Sequence, residues 1–383
     1  MYVDVVSARV TVVAIAAVLA LAGAAPSLAQ APDPEPVVPE AAFPSNMAFA
    51  PDGRLFYTEL LSGNVRVVGS DGLLVPTPFT SFDVFTGASE TGLLGIAIPP
   101  DFEQHPWVYV YLSRADEVRN EVVAVRAAGD TGVERRPVIT LLSARTGYHN
   151  GGDLLFGPDG SLFIAVGEAH EPTRAQAPSD PGGKILRIDP NVAVPPGSPL
   201  PEGAVFTMGH RNSFGLCRDD ATGDVWQTEN GPGVDDEVNR LVAGGDYGWP
   251  DVTGRVDHDR YVDPVAVFGE PVALTGCAVW RGELYVGAYL TGGVYRIGRE
   301  GAVSLVATMP AGVTDLQVGP DDRMYVATEE GIYALGAPAP GSPIPGLERR
   351  PGDVGPWVLA VATLVVVAAA AAGWLLTRRA RAG

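Results

Sequence analysis

The stretch LLFGPDGSLFIAVGE, residues 154–168, decides the fold of this chain. It runs from an apolar start through the tight turn Pro158-Asp159-Gly160 into a second β-rich run, which is the pattern of a β-hairpin. The same pattern returns five more times at a spacing of roughly forty to sixty residues. The other copies are MAFAPDGRLFYTE (47–59), IAIPPDFEQHPWVYVYLS (96–113), GLCRDDATGDVWQTEN (215–230), CAVWRGELYVGAYL (277–290) and LQVGPDDRMYVATEE (316–330).

Further strands follow several of the hairpins, as in GNVRVVG (63–69), GKILRID (183–189) and GGVYRIG (292–298). No long amphipathic helix pattern interrupts them. Six such units predict an all-β fold, a six-bladed β-propeller over residues 43–335, which closes on itself and leaves no long edge unpaired. A pair of β-sandwiches is the alternative, but it does not predict six similar hairpins.

The acidic composition argues against one class of binding partner. Acidic residues outnumber basic ones 45 to 26 in 383 residues, which gives a net charge of −19. We therefore expect no nucleic-acid partner, because phosphate binding needs a basic surface. The two cysteines, Cys217 and Cys277, are too few for a zinc site and start adjacent repeats. They form either a disulfide or two buried thiols.

The N-terminal segment predicts export. Residues 1–29 combine Arg9, the apolar run Val10–Ala24 and the small-x-small pattern Ser27-Leu28-Ala29, as in a signal peptide. An uncleaved anchor is the alternative. Residues 30–42 are Pro-rich and predict a short extended spacer.

The C-terminal segment predicts a membrane anchor. Residues 336–356 form a Pro/Gly linker, and residues 357–376 are about twenty apolar residues without charge, enough to cross a bilayer. The basic tail, residues 377–383, belongs on the cytoplasmic side. The expected topology is an exported, single-pass protein of the cell membrane, with the propeller outside and the C-terminus in the cytoplasm.

Candidate site residues precede three of the hairpins, where propeller loops meet at one mouth of the central channel. His149 precedes the third hairpin, and a histidine there is a natural general base near neutral pH. Arg211 and Asn212 precede the fourth, and the arginine could pair with a carboxylate. Glu90 precedes the second, where it could bind a sugar, hold a metal or be a plain surface acid.

An acidic loop follows the fourth hairpin. Gly231–Glu237 carries the carboxylates of Asp235, Asp236 and Glu237 beside the carbonyls of Gly231 and Pro232. Oxygen atoms on a tight loop suit a hard cation such as calcium, and a solvated acidic turn is the equally simple alternative.

Together these segments resemble the glucose/sorbosone dehydrogenase family. The resemblance covers about residues 43–335. The segments that carry it are GLLG (92–95) with PDF (100–102), HNGG (149–152), RAQ (174–176), GKILRIDP (183–190), GHRN (209–212), TENGP (228–232) with Asp236-Glu237, and YGWP (247–250).

The resemblance implies a fold, an activity and roles. Members are six-bladed propellers that use pyrroloquinoline quinone (PQQ) and calcium to oxidise an aldose sugar to its lactone by hydride transfer. His149 matches the general base, and Arg211 and Asn212 match residues that contact PQQ. The remaining matches are Glu90 for a substrate contact, the Gly231 and Pro232 carbonyls for the catalytic calcium, and Glu237 with the Tyr247 backbone for a structural calcium.

This chain also departs from the family pattern. A glutamine near the substrate is replaced by Glu90, a lysine on the cofactor by the segment 287–291 and two arginines by the segment 312–315. PQQ is a tricarboxylate, and each lost charge-assisted bond is worth about 1.5–3 kcal/mol. PQQ binding and the electron acceptor therefore stay open.

Three functions follow as hypotheses. The first is a PQQ- and calcium-dependent aldose dehydrogenase, which the retained base and calcium loop favour. The second is a non-catalytic propeller that binds a carbohydrate or a protein, which the missing cations favour. The third is a calcium-dependent lactonase-like propeller, which needs oxygen ligands such as Glu90, Asn150 and Asn212 to converge on one metal.

Overall fold

The computed structural model describes residues 34–192, 203–298 and 300–336. In this part of the chain twenty-four strands form six four-stranded antiparallel sheets, and a short 3-10 helix, Pro172–Gln176, is the sole helix. The predicted six-bladed β-propeller is confirmed. The segments predicted as signal peptide and membrane anchor lie outside the described residues, and no helix among those residues is long and apolar enough to cross a membrane.

The first three blades follow one another along the chain, each with its strands in sequence order. Blade 1 contains β2 (Pro44–Phe49), β3 (Leu55–Glu59), β4 (Asn64–Val68) and β5 (Thr80–Ser81); blade 2 contains β6 (Leu93–Ala97), β7 (Trp107–Arg114), β8 (Arg119–Ala128) and β9 (Thr131–Ser143); blade 3 contains β10 (Gly151–Phe156), β11 (Leu162–Val166), β12 (Lys184–Ile188) and β13 (Val205–Met208).

The last three blades repeat this order and close the ring. Blade 4 contains β14 (Ser213–Arg218), β15 (Val225–Glu229), β16 (Asp236–Arg240) and β17 (Ala266–Phe268); blade 5 contains β18 (Leu274–Trp280), β19 (Glu283–Ala288), β20 (Gly293–Ile297) and β21 (Val303–Thr308); blade 6 contains β22 (Val313–Val318), β23 (Met324–Thr328), β24 (Gly331–Leu335) and β1 (Glu35–Val38). β1 pairs antiparallel with β24, so an N-terminal strand completes the last blade. Part of the segment predicted as a spacer, residues 30–42, therefore belongs to the propeller.

The core lies between neighbouring blades rather than at the centre of one sheet. All five residues of β3, of β11 and of β23 are buried, because each blade is covered on both faces by its neighbours. One cluster joins Tyr111 of blade 2 to Leu154 and Ile164 of blade 3. A strand that is covered on both faces needs apolar residues at successive positions, which explains the short continuous apolar runs in the sequence.

Two features fix the innermost strands against each other. A Cβ atom on Gly95 would lie 2.0 Å from the carbonyl oxygen of Gly152, so the second and third blades approach too closely there for any side chain. The glycines after His149 thus serve blade packing. Cys217 of β14 and Cys277 of β18 form a disulfide between the fourth and fifth blades, which settles the alternative that the sequence left open.

The strand directions place all candidate residues at one end of the ring. First strands begin at the end where second strands finish, because neighbouring strands are antiparallel. We call this end the mouth; it carries the segments before β6, β10 and β14 and those after β11, β15 and β19. The Asp-Gly turns lie at the opposite end.

Candidate functional site

A cavity of about 290 Å³ opens at the mouth and extends along the channel. Glu90, Asn230 and Tyr289 line its outer part, and Asn46 and Asp153 line it further along the innermost strands. Its volume suits a small molecule. Of the residues proposed from the sequence, Glu90 lies in the lining itself, and His149 and Asn212 contact Glu90 directly.

Glu90 joins two of the proposed site residues. Its Oε2 atom accepts hydrogen bonds from the backbone N–H of His149 at 2.6 Å and from Nδ2 of Asn212 at 3.0 Å. Asn212 in turn accepts a hydrogen bond from the N–H of Gly151 at its Oδ1 atom. Three segments that precede three different blades are thus held together by one carboxylate.

His149 is paired with a glutamate that the sequence reasoning missed. Nδ1 of His149 lies 2.8 Å from Oε1 of Glu168, and both side chains are buried. The second oxygen of Glu168 accepts the N–H of Glu171 at 2.7 Å, which fixes the carboxylate. A carboxylate accepts only, so the proton of His149 sits on Nδ1 and leaves Nε2 as an acceptor. This is the arrangement of an oriented general base.

The backbone at His149 is unusual. His149 has φ +55°, and Ala169 and His170 after Glu168 have φ +56° and +63°. Non-glycine residues adopt such angles only where surrounding contacts enforce them, and such strain collects at functional sites. The ring of His170 packs edge-on against that of His149, with centroids 4.7 Å apart.

Arg211 lies beside the cavity and contacts its wall. Its Nη1 donates to the carbonyl of Asn230 at 2.8 Å, and its guanidinium lies over the Trp249 ring. Burial lowers the pKa of Arg211, and the charges of surrounding carboxylates oppose that shift. Those carboxylates belong to Glu168, Glu229, Glu90 and Asp236.

A second buried histidine–glutamate pair lies behind Arg211. Nδ1 of His210 is 2.9 Å from Oε2 of Glu229, and Oε1 of Glu229 accepts the N–H of Arg211. Thr207 hydrogen bonds the other ring nitrogen of His210, so both nitrogens have partners and this histidine is structural. A glutamate closes the second strand, or follows it closely, in YTE (57–59), VGE (166–168), QTE (227–229) and ATE (327–329). That recurrence is the signal that could have pointed to Glu168.

Asp236 holds the acidic loop in place through backbone contacts. Both oxygens of Asp236 accept backbone N–H groups, from Gly231 at 2.9 Å and from Val272 and Ala273 at 2.9 and 2.8 Å. Asp236 therefore anchors the loop, and three backbone amides use most of the accepting capacity of its carboxylate. That Asp236 offers a carboxylate to a cation stays a prediction.

Calcium remains compatible with the oxygens that are left. No group of three or more His, Cys, Asp or Glu side chains forms a metal site in the described part of the chain. The carbonyls of Gly231 and Pro232, however, accept no hydrogen bond from a described residue, and Oδ1 of Asn230 is buried without a partner among those residues. Carbonyl and amide oxygens are ligands that calcium accepts, so these atoms fit the ion.

The second predicted calcium site contains an unusual acid. Burial raises the pKa of Glu237 to about 8, and the charge of Glu229 adds to the shift. Oε1 of Glu237 accepts the N–H of Gly254 at 2.7 Å, and the Tyr247 carbonyl accepts no hydrogen bond from a described residue. A divalent cation would favour the ionised form of such a buried carboxylate, so Glu237 and Tyr247 also fit calcium.

A tricarboxylate does not fit the lining. Among the described residues no lysine or arginine lines the cavity, and Glu90 and Asp153 both do. Tyr289, in the segment where the family has its lysine, donates its hydroxyl to Glu329 at 2.5 Å. Thr314, in the segment of the two arginines, donates to the carbonyl of Pro44 at 2.7 Å. The residues here therefore match the base and the calcium loop but not the carboxylates of PQQ.

The lactonase-like arrangement is not formed either. Asn150 donates from Nδ2 to the carbonyl of Glu90 and accepts from Asn120 at Oδ1. Asn212 uses its amide on Glu90 and Gly151. The amide oxygens proposed as ligands therefore hydrogen bond to protein groups, and only Oε1 of Glu90 lacks such a partner among the described contacts.

Comparisons with known proteins identify the family. The family model described as Glucose / Sorbosone dehydrogenase matches residues 41–335. Aldose sugar dehydrogenase YliI of Escherichia coli K12 is 26% identical over 326 residues, which cover 75% of this chain and 87% of that protein.

Two solved structures have the same fold. An oxidoreductase (glucose dehydrogenase) from Thermus thermophilus is 34% identical, with a TM-score of 0.72 over 80% of this chain and 100% of that one. The PQQ-bound form of aldose sugar dehydrogenase from Streptomyces coelicolor is 26% identical, with a TM-score of 0.69 over 79% and 96%. Because the family model matches most of the length of this chain, residues 41–335, the chain belongs to the glucose/sorbosone dehydrogenase family.

Proposed function

We propose that this chain is an oxidoreductase that acts on the anomeric CH–OH group of an aldose sugar and yields the lactone. The observation that carries the proposal is the buried His149–Glu168 pair, which leaves the second imidazole nitrogen of His149 without a partner among the described residues. Relatives described as sugar dehydrogenases support it. The same geometry supports the role that the resemblance implies for His149, that of general base.

The protein's own residues would handle the proton. Glu168 keeps a proton on Nδ1 of His149, so Nε2 accepts the proton of the anomeric hydroxyl. Glu90 holds the His149 backbone and the Asn212 amide, which keeps the base in place while the sugar binds. Calcium, when held at the Gly231 and Pro232 carbonyls, would act as a Lewis acid and polarise an oxygen atom that binds to it.

The reaction also needs an oxidant. When the proton leaves the hydroxyl, the C1–H bond breaks with its electron pair and the C1–O bond becomes a carbonyl. A hydride equivalent must therefore pass to a two-electron acceptor. We propose an organic acceptor with less negative charge than a tricarboxylate, since the lining offers Glu90 and Asp153 in place of cations.

A non-catalytic carbohydrate-binding propeller is the second candidate. The lack of a lysine or arginine in the described lining favours it, because that feature separates this chain from the family pattern. Binding without turnover would distinguish it from the first.

We also propose that the propeller works outside the cell membrane. The apolar segment 357–376 would span the bilayer and the arginines at 378, 379 and 381 would stay in the cytoplasm. Protease added to intact cells should then remove the propeller and leave the tail protected; a protected propeller would contradict this topology.

The function is tested by incubating the full-length protein, purified from the organism that makes it, with aldoses and an artificial electron acceptor. Formation of the lactone, identified by mass, supports the proposal. If a sugar binds but none of the aldoses yields a lactone with the electron acceptor, the result favours the non-catalytic propeller.

A further inference from the structure

We infer that the cavity selects an aldose that carries a protonated amine next to the carbon that is oxidised, and that Glu90 recognises this amine. The inference rests on the proposed function for the location of the reacting carbon. It names the substrate class, which neither the family nor its relatives assign to this chain.

Among the described contacts, one of the two oxygens of the Glu90 carboxylate accepts hydrogen bonds. Oε2 accepts two hydrogen bonds, from His149 and Asn212, whereas Oε1 accepts none from the described residues. Glu90 is half-buried and lines the cavity. A partly desolvated carboxylate oxygen without a donor is unfavourable, so a ligand that brings a donor to this point gains affinity.

Most other polar side chains of the lining already have partners. The hydroxyls of Ser45, Thr275 and Thr314 donate to backbone carbonyls. The oxygens of Asp153 accept from Leu154, Leu216 and Asn46.

The lining therefore presents an open acceptor to a ligand at Glu90. Oε1 of Glu90 has no donor among the described residues, and the described lining contains no lysine or arginine that could supply one. An ammonium group offers three donors and a positive charge, whereas a sugar hydroxyl offers one donor and no charge. Sugars with a carboxylate or a phosphate would meet repulsion at the same place.

The contact between Glu90 and His149 sets where the amine belongs. The backbone N–H of His149 donates to Oε2 of Glu90, so the carboxylate adjoins the residue that carries the base, and we infer that it meets a substituent close to the reacting carbon. On an aldose the nearest substituent to the anomeric carbon is the one on C2. The chemical class is thus a 2-amino-2-deoxy aldose.

The test compares three sugars that share one ring configuration and differ in the group on C2: glucosamine, N-acetylglucosamine and glucose. Calorimetry with the full-length protein at about pH 6, where the amine is protonated, measures binding without turnover. We expect glucosamine to bind roughly tenfold or more tightly than the two neutral sugars, as one charge-assisted hydrogen bond allows. Equal affinities for all three would overturn the inference.

Two variants make the result specific. Glu90→Gln keeps an oxygen for the His149 N–H and should reduce the ratio of the glucosamine and glucose affinities to about one, and this ratio is the readout whatever happens to glucose binding itself. Glu330→Gln removes an exposed carboxylate at the same mouth, outside the cavity lining, and should keep the preference. A preference that survives Glu90→Gln would overturn the inference. Preferred binding without oxidation would instead count against the proposed function alone.

Discussion

Nδ1 of His149 lies 2.8 Å from Oε1 of Glu168, and both side chains are buried beside the mouth of the propeller. The pair links the segment before β10 to the segment after β11, within one blade. Its geometry gives the histidine a fixed tautomer and a fixed orientation, which are the two requirements of a general base.

The first prediction concerns Glu168. Glu168→Gln should lower kcat about a hundredfold or more with KM nearly unchanged, because the amide no longer fixes the proton on Nδ1. Steady-state kinetics measures it. Glu59→Gln, the glutamate that ends the corresponding strand of blade 1, is the matched control and should leave kcat within about twofold. Equal losses in both variants would point to a general packing effect.

The second prediction concerns the cofactor. PQQ should bind the wild-type protein weakly, with Kd of about 1 mM or above in the presence of calcium, since its carboxylates meet Glu90 and no cation in the described lining. The double variant Tyr289→Lys/Thr314→Arg should tighten binding by roughly a hundredfold or more. Calorimetry measures both. Micromolar binding by the wild type would show that other residues hold the carboxylates.

The third prediction concerns pH and the channel acids. Burial raises the pKa of Asp153 to about 7, and the pKa of Asp315, buried near it, is shifted in the same direction by burial and by the charge of Asp153. The unfolded value is about 3.9, so between about pH 4 and pH 7 the folded chain holds more protons than the unfolded one. The free energy of unfolding should therefore fall as pH rises through this window.

Thermal unfolding between about pH 5 and pH 8 measures that slope. Asp153→Asn removes one of the two titrating groups, so its Tm should fall less steeply with pH, whatever its absolute value. An unchanged slope would mean that Asp153 is ionised in the folded protein throughout.

The fourth prediction concerns calcium. If the Gly231–Pro232 carbonyls and Glu237 hold the ion, a chelator should lower Tm by about 5 °C, as expected when a ligand at about a hundred times its Kd is removed. Added calcium should restore it, and added magnesium should not. An unchanged melting curve after chelation would identify the loop as a plain acidic turn.

Much of the fold could be predicted from local sequence, because each hairpin carries its own turn residues and its own apolar runs. The turn at Asp159-Gly160 and its copies were enough to count the blades. The strand Glu35–Val38 was not predicted, because it lies in a Pro-rich segment and its partner β24 is almost the whole chain away. Nothing near residue 35 signals that pairing.

The sequence predicts which residues form the site better than it predicts the contacts between them. The sequence predicts His149, Glu90 and Asn212 at one mouth, and in the structure Glu90 contacts both of the others. The partner of His149 could not be read from spacing, because Glu168 reaches it only through the antiparallel return of β10 and β11. The backbone contacts of Asp236 could not be predicted for the same reason, because its partners, Val272 and Ala273, are distant in sequence.

The most direct test of the account is the rate of aldose oxidation by wild-type protein and by His149→Asn. Asparagine tolerates the left-handed backbone that His149 adopts, with φ +55°, so the fold should survive and circular dichroism can verify this. The account predicts that wild type oxidises the sugar and that the variant loses about 10²–10⁴ in kcat while it still binds the sugar. A variant that keeps wild-type turnover would contradict the assignment of His149 as the base.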